Sequence, residues 1–159
     1  MSEQPASIAE LLQRIDQLES RNAMRDLASD YCHGFDKHDY ARFEAIWWED
    51  CEFEIGPPFG AFTGLAGIKR AVQEVLWPAW RETHHLTTNL RVWFDDKDHA
   101  RGECDVDCMG ASPDHQVMIV GASYYDRFER RNKVWKIRKR TVKLHYFNPL
   151  PGAQMSPPG

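Results

Sequence analysis

Five side chains in this sequence are of kinds that could perform acid–base chemistry in a dry pocket. Tyr31 and Asp36 lie in SDYCHGFDKHD, His84 and His85 stand side by side in ETHHLTTNLRV, and Arg140 lies in KIRKRTVK. A free imidazole titrates near pH ~6.5, so around neutrality it can take a proton, and a carboxylate beside it would fix its tautomer and stabilise the imidazolium. A phenol can donate to a departing or polarised oxygen, and an arginine can hold a developing negative charge. Each residue also has a plainer use. Tyr31 falls on the apolar stripe of a helical pattern, four residues before Phe35, which suits an ordinary core tyrosine equally well. Asp36 sits just past the expected helix end, where the macrodipole is negative, so it gains from a cation or hydrogen-bond donor such as histidine. Beside Lys37, His38 and Asp39 it also reads as a solvated loop residue.

Neighbouring side chains in a strand point to opposite faces, so His84 and His85 cannot look into one space. Alternation puts His84 with Leu86, Thr88, Leu90, Val92 and Phe94 on the more apolar face, and His85 with Thr87, Asn89, Arg91 and Trp93 on the other. That assigns His84 to the core, unless a bulge near Thr87 and Thr88 reverses the pattern locally. Arg140 alternates with Arg138, Val142 and Leu144, on a solvated basic face or reaching into a pocket. Trp47, Trp48, Trp77 and Trp80 could line such a pocket or simply fill core.

The elements that must position these groups can be read from periodicity. Ile8, Leu11, Leu12, Ile15 and Leu18, then Met24, Leu27, Ala28, Tyr31 and Phe35, recur at spacings of three and four. They predict one or two amphipathic helices from Ser7 to about Phe35, with a break allowed at residues 20–22. Asp39 suits the N-cap of a second helix, and a third is expected from Leu65 to Leu76, ending before Pro78. Between them Cys51, Phe53 and Ile55 alternate with Glu52 and Glu54 as a short strand. From His84 onward residues 85–94, 99–110, 116–129 and 134–147 read as long strands separated by turns. Helices followed by an antiparallel sheet make an α+β order. The expected division is a helical extension over residues 1–21, a domain over 22–147 and a proline-rich tail over 148–159, lying on the surface or on a neighbouring subunit.

At 159 residues one domain with one pocket is expected. A formal charge of -4 gives no reason to expect nucleic acid. No apolar run approaches the ~20 residues of a membrane helix. The N-terminal MSEQPASIAE lacks the layout of a signal peptide, which points to the cytoplasm and to four free thiols, Cys32, Cys51, Cys104 and Cys108. Cys104 and Cys108 share a strand face, yet no second pair offers zinc a set of four ligands.

FDKHDYARFEAIWWEDCEFEI, VLWPAWRETHHLTTNLRV, YYDRFERRNKVWKI and HYFNPLPG together resemble the SnoaL-like branch of the NTF2-like superfamily, from about Asn22 to the C-terminus. Within it the likeness is greatest to hexachlorocyclohexane dehydrochlorinases, with scytalone dehydratases and bile-acid 7α-dehydratases more distant. The resemblance implies a cone-shaped barrel, N-terminal helices packed on a strongly curved, mostly antiparallel sheet. It implies a cofactor-independent lyase with no metal, acting on a small apolar cyclic molecule, and a homotrimer. It places an Asp–His dyad on Asp36 and His85, against simple parity, and leaves His84 structural. Arg140 matches the family's late-strand arginine. Trp48, Trp77, Asn89 and Cys108 are the expected substrate contacts. Where the dehydrochlorinases carry lysine, five residues before the aspartate, this chain has Tyr31, as the bile-acid dehydratases do. Chloride leaves unaided while hydroxide needs a donor, so the tyrosine favours dehydration. Dehydrochlorination, isomerase or cyclase chemistry with the same dyad, and a non-catalytic ligand-binding protein are the alternatives.

Overall fold

The computed structural model describes residues 6–155. Residues 1–5, and the expected proline-rich tail beyond residue 155, lie outside it. Ser7 opens the first helix with a capping box: its backbone N–H donates to Glu10 Oε2 (2.7 Å) and its Oγ accepts from Glu10 N–H (3.3 Å). Helix α1 (Ile8–Asp36) then runs without interruption through residues 20–22, so no break is realised and the expected boundary at residue 21 falls inside one helix. Its second half buries Met24, Leu27, Ala28, Tyr31 and Phe35, whereas Ile8, Leu12 and Leu18 in the first half are exposed. Only half of the amphipathic stripe therefore reaches the core.

Helix α2 (Tyr40–Ala45) starts on Asp39, whose carboxylate accepts from Arg42 N–H at 3.1 Å. It crosses the end of α1 closely at Gly34, where a Cβ would stand 2.8 Å from the Phe43 nitrogen. Strand β1 (Trp47–Gly56) extends four residues earlier than the alternation at Cys51 indicates, and pairs with β2 (Gly60–Thr63). The expected third helix divides: α3 (Gly64–Arg70) widens into a π-helical turn (Ala71–Leu76) and tightens into a 3₁₀ turn (Trp77–Ala79). Pro78 lacks the N–H that would continue the ladder, and the changes of pitch bring Leu76 and Trp80 over the sheet.

The four long strands are β3 (Glu82–Phe94), β4 (His99–Ala111), β5 (Val117–Arg131) and β6 (Val134–Pro149). The sheet order is β2-β1-β6-β5-β4-β3, antiparallel except for β1 against β6. Its concave face wraps α1 and encloses one apolar core that includes Phe43, Trp47, Phe53, Phe128 and Ile137. This is an α+β cone with helices at the N-terminus, as the sequence order indicates. Leu150 N–H donates to Val117 O at 2.8 Å, tying the start of the tail to β5. No helix among the described residues is long and apolar enough to cross a membrane.

Candidate active site

Two local irregularities decide which way the site residues face. In β3 the pairing with β4 slips between Thr88 and Arg91, and Asn89 there takes φ 59°. Asparagine tolerates that left-handed conformation better than most residues. The extra residue inverts the alternation: before it Thr83, His85 and Thr87 turn inward, and after it Leu90, Val92 and Phe94 do. His85 thus faces the cavity, and His84 is exposed rather than in the core. Simple parity does not hold across the bulge, and the assignment of His84 to the core fails there. A second slip, between Arg127 and Phe128 of β5, displaces Arg138 outward and lets both Ile137 and Arg140 be buried.

These shifts bring the C-terminus of α1 against the start of β3. His85 Nδ1 meets Asp36 Oδ1 at 2.5 Å, the His85 backbone N–H donates to Asp36 Oδ2 at 2.8 Å, and the Thr83 hydroxyl donates to Oδ1 at 2.8 Å. The side chains of His85 and Asp36 are only 10% and 13% exposed, so the pair is largely shielded from water. Burial works to raise the Asp36 pKa, but the hydrogen bonds and charge of His85, with the Thr83 hydroxyl, hold its carboxyl below the ordinary value. With Nδ1 directed at the carboxylate, Nε2 is the ring nitrogen that Asp36 leaves unengaged.

The cavity they border opens between α1 and the sheet and holds about 670 Å³ of empty space, its mouth included. Ile55, Val106, Val120 and Val142 give it hydrocarbon walls, and Tyr31, His85, Tyr124, Thr83 and Cys108 give it polar atoms. The rings of Tyr31 and His85 stand perpendicular with centroids 6.3 Å apart, so phenol and imidazole flank one space. Burial pushes the Tyr31 phenol up to about 12, against the pull of the Arg140 charge and the Tyr124 hydroxyl. Burial likewise pushes the Cys108 thiol up to about 12, leaving it a neutral wall group.

Arg140 is fully buried, neither solvated nor on the cavity wall. It forms a bidentate pair with Asp126, Nε to Oδ1 at 2.8 Å and Nη2 to Oδ2 at 2.7 Å, and its guanidinium lies over the rings of Tyr31 (4.3 Å) and Tyr124 (4.2 Å). Three expected contact residues stand elsewhere. Trp48 Nε1 donates to Glu129 O (2.8 Å) with the Arg131 guanidinium over its ring, on the outside of the sheet end. Trp77 Nε1 donates to Phe35 O (3.1 Å) and stacks on His38, fixing the end of α1. Asn89 is the exposed bulge residue, its amide donating to Asp105 Oδ2 at 3.3 Å. Trp80 is the tryptophan that enters the wall instead. Thr83, Tyr124 and Asp126 escaped the sequence reading. Thr83 shares the parity of His85, and the alternation of Ala122, Tyr124 and Asp126 on one face could have revealed the others. Among the described residues no three His, Cys, Asp or Glu side chains converge to hold a metal ion.

N-terminal helices packed on a curved, mostly antiparallel six-stranded sheet define the NTF2-like class of α+β proteins, and this chain has that architecture. The SnoaL-like domain model matches residues 16–141, and the chain belongs to that family. It is 40% identical over 146 residues to hexachlorocyclohexane dehydrochlorinase 1 of Sphingobium indicum, covering 91% of this chain and 94% of that one. The crystal structure of a type 2 hexachlorocyclohexane dehydrochlorinase superposes with a TM-score of 0.88 at 39% identity, covering 92% and 99%. A scytalone dehydratase-like protein from Novosphingobium aromaticivorans shares the fold at 22% identity, with a TM-score of 0.78 over 92% and 97%.

Proposed function

We propose that the protein is a cofactor-independent lyase that eliminates a leaving group from a small, apolar, cyclic substrate, with hydroxide as the preferred leaving group. The observation that carries this reading is the Asp36–His85 contact of 2.5 Å at the inner wall of an apolar cavity. A protein that only binds its ligand has no need to bury a carboxylate against an imidazole. In the proposed step His85 Nε2 takes a proton from carbon while Asp36 holds the ring and stabilises the imidazolium. The electron pair forms the double bond as the leaving group departs from the adjacent carbon. Tyr31 gives its hydrogen bond, and at the end its proton, to the departing oxygen, and the imidazolium returns a proton to the phenolate, so water is lost overall. Arg140 acts on this step through the π face of Tyr31.

A second reading, loss of chloride, is favoured by the 38–40% identity to enzymes named as hexachlorocyclohexane dehydrochlorinases. Tyr31 weighs against it, because chloride needs no proton. We further infer a homotrimer working in the cytoplasm. The apolar Leu86, Trp93 and Tyr125 exposed on the sheet support the assembly, and the four unpaired cysteines suit a reducing compartment.

The test is a screen of purified protein against hydroxylated and chlorinated alicyclic compounds, with products identified so that water loss and chloride loss are separated. His85→Ala and Asp36→Asn are expected to lower turnover by roughly 10²–10⁴-fold. Full turnover in both variants would remove the proposed base and its partner.

A further inference from the structure

The elimination reading uses one phenol of the cavity, yet the structure holds two. Tyr124, from the middle of β5, lies beside Tyr31 with ring centroids 5.3 Å apart, and both line the same cavity. Behind them stands the buried Arg140–Asp126 pair, with the guanidinium within 4.3 Å of both ring centres. Arg140 Nη1 finds no acceptor among the described residues. The two rings lie against each other and against Arg140, a donor without lone pairs. Two hydroxyls that meet can satisfy one proton between them, since one donates and the other accepts. The second proton is left for an acceptor within the cavity, whose lining is mostly hydrocarbon. Two phenols on one cavity wall, with a cation behind both, suit an acceptor that arrives with the ligand.

We propose that Tyr31 and Tyr124 form a two-donor recess for a single oxygen atom of the ligand, carbonyl or hydroxyl, and that Tyr124 determines specificity for oxygen-bearing substrates. The proposal rests on the reading of this cavity as the substrate site and deepens it by naming the substrate class. Carbon-bound chlorine accepts hydrogen bonds poorly, so a wholly halogenated hydrocarbon leaves the recess unsatisfied. The buried guanidinium gives the recess positive potential, and Asp126 keeps that charge tolerable in the interior.

The test uses the full-length protein as purified, with α-tetralone and its oxygen-free counterpart tetralin as probes. Calorimetry on wild type and Tyr124→Phe is expected to show about a tenfold loss of tetralone affinity in the variant and less than a twofold change for tetralin. The infrared carbonyl stretch of tetralone bound to wild type is expected well below its position in hexane, and closer to it in Tyr124→Phe. A hydroxyl probe, tetralol, separates the sources: loss of affinity for tetralone alone assigns the recess to carbonyls, and loss for both assigns it to oxygen in general. Equal weakening of tetralone and tetralin, or a wild-type carbonyl band at the hexane position, overturns the proposal. Because that band is read on wild type, a variant that fails to fold leaves the test intact. Neither measurement reads turnover, so the recess stands or falls separately from the elimination step.

Discussion

Asp36 closes α1, where the helix dipole is negative, and it is largely shielded from water; both circumstances disfavour its charge. Burial is the largest influence and pushes the carboxyl up, yet the three bonds from His85 and Thr83 outweigh it and leave it below its ordinary value. A depressed folded value means a contribution to stability that is complete above the unfolded pKa of about 4 and is lost as pH falls through the folded one. Asp36→Asn should therefore shrink the acid-side decline in urea midpoint, with the two proteins converging at low pH. Tyr31 shows the opposite sign. Its phenol, pushed up to about 12 from 10.0, contributes stability that is present below pH 10 and lost as pH rises through 12. Tyr31→Phe should flatten that alkaline decline, and the wild-type phenol remains a proton donor throughout the neutral range. The Arg140–Asp126 pair makes a third case. Asp126→Asn leaves the guanidinium buried without a counter-charge, and a loss of about 3–5 kcal/mol in chemical denaturation is expected.

At the scale of elements, the bulge in β3 is the decisive feature. The chain enters the strand with His85 inward and leaves it with Val92 and Phe94 inward, and one extra residue near Asn89 makes both possible. Deletion of Asn89 should restore simple alternation and force a choice. With the apolar half kept in the core, His85 turns to solvent. The expected outcome is a protein with wild-type circular dichroism and turnover reduced by at least the roughly 10²–10⁴-fold of base removal. Much of the element order was open to a reader of the sequence: the Asp39 cap, the stop at Pro78 and the turns at 95–98, 112–116 and 132–133 all depend on local backbone chemistry. The changes of pitch after Arg70 were not, because packing over the cavity sets them.

For the whole molecule, the convex side of the sheet carries Leu86 (57% exposed), Tyr125 (42%) and Trp93 (37%). If that face is the trimer contact, light scattering at micromolar concentration gives three times the 18.5 kDa chain mass, and Leu86→Glu shifts it toward one. A wild-type monomer would refute the assembly. What the sequence determined by itself is local or compositional: the α+β order, the helix caps, the apolar stripe bearing Tyr31, and the motifs that carry the family resemblance. Periodicity and capping act over a few residues, so they are legible in one dimension. Strand parity misassigned the histidines, and only the family resemblance pointed to His85. The tertiary structure alone decided that Trp80 and not Trp48 walls the cavity, and that Tyr124 joins Tyr31 above a buried Arg140. Those outcomes depend on strand register and on contacts between residues far apart in the chain, such as Tyr31 with Tyr124. No nearest-neighbour pattern encodes such contacts, because the energy that selects them is the burial of one apolar core shared by the whole chain.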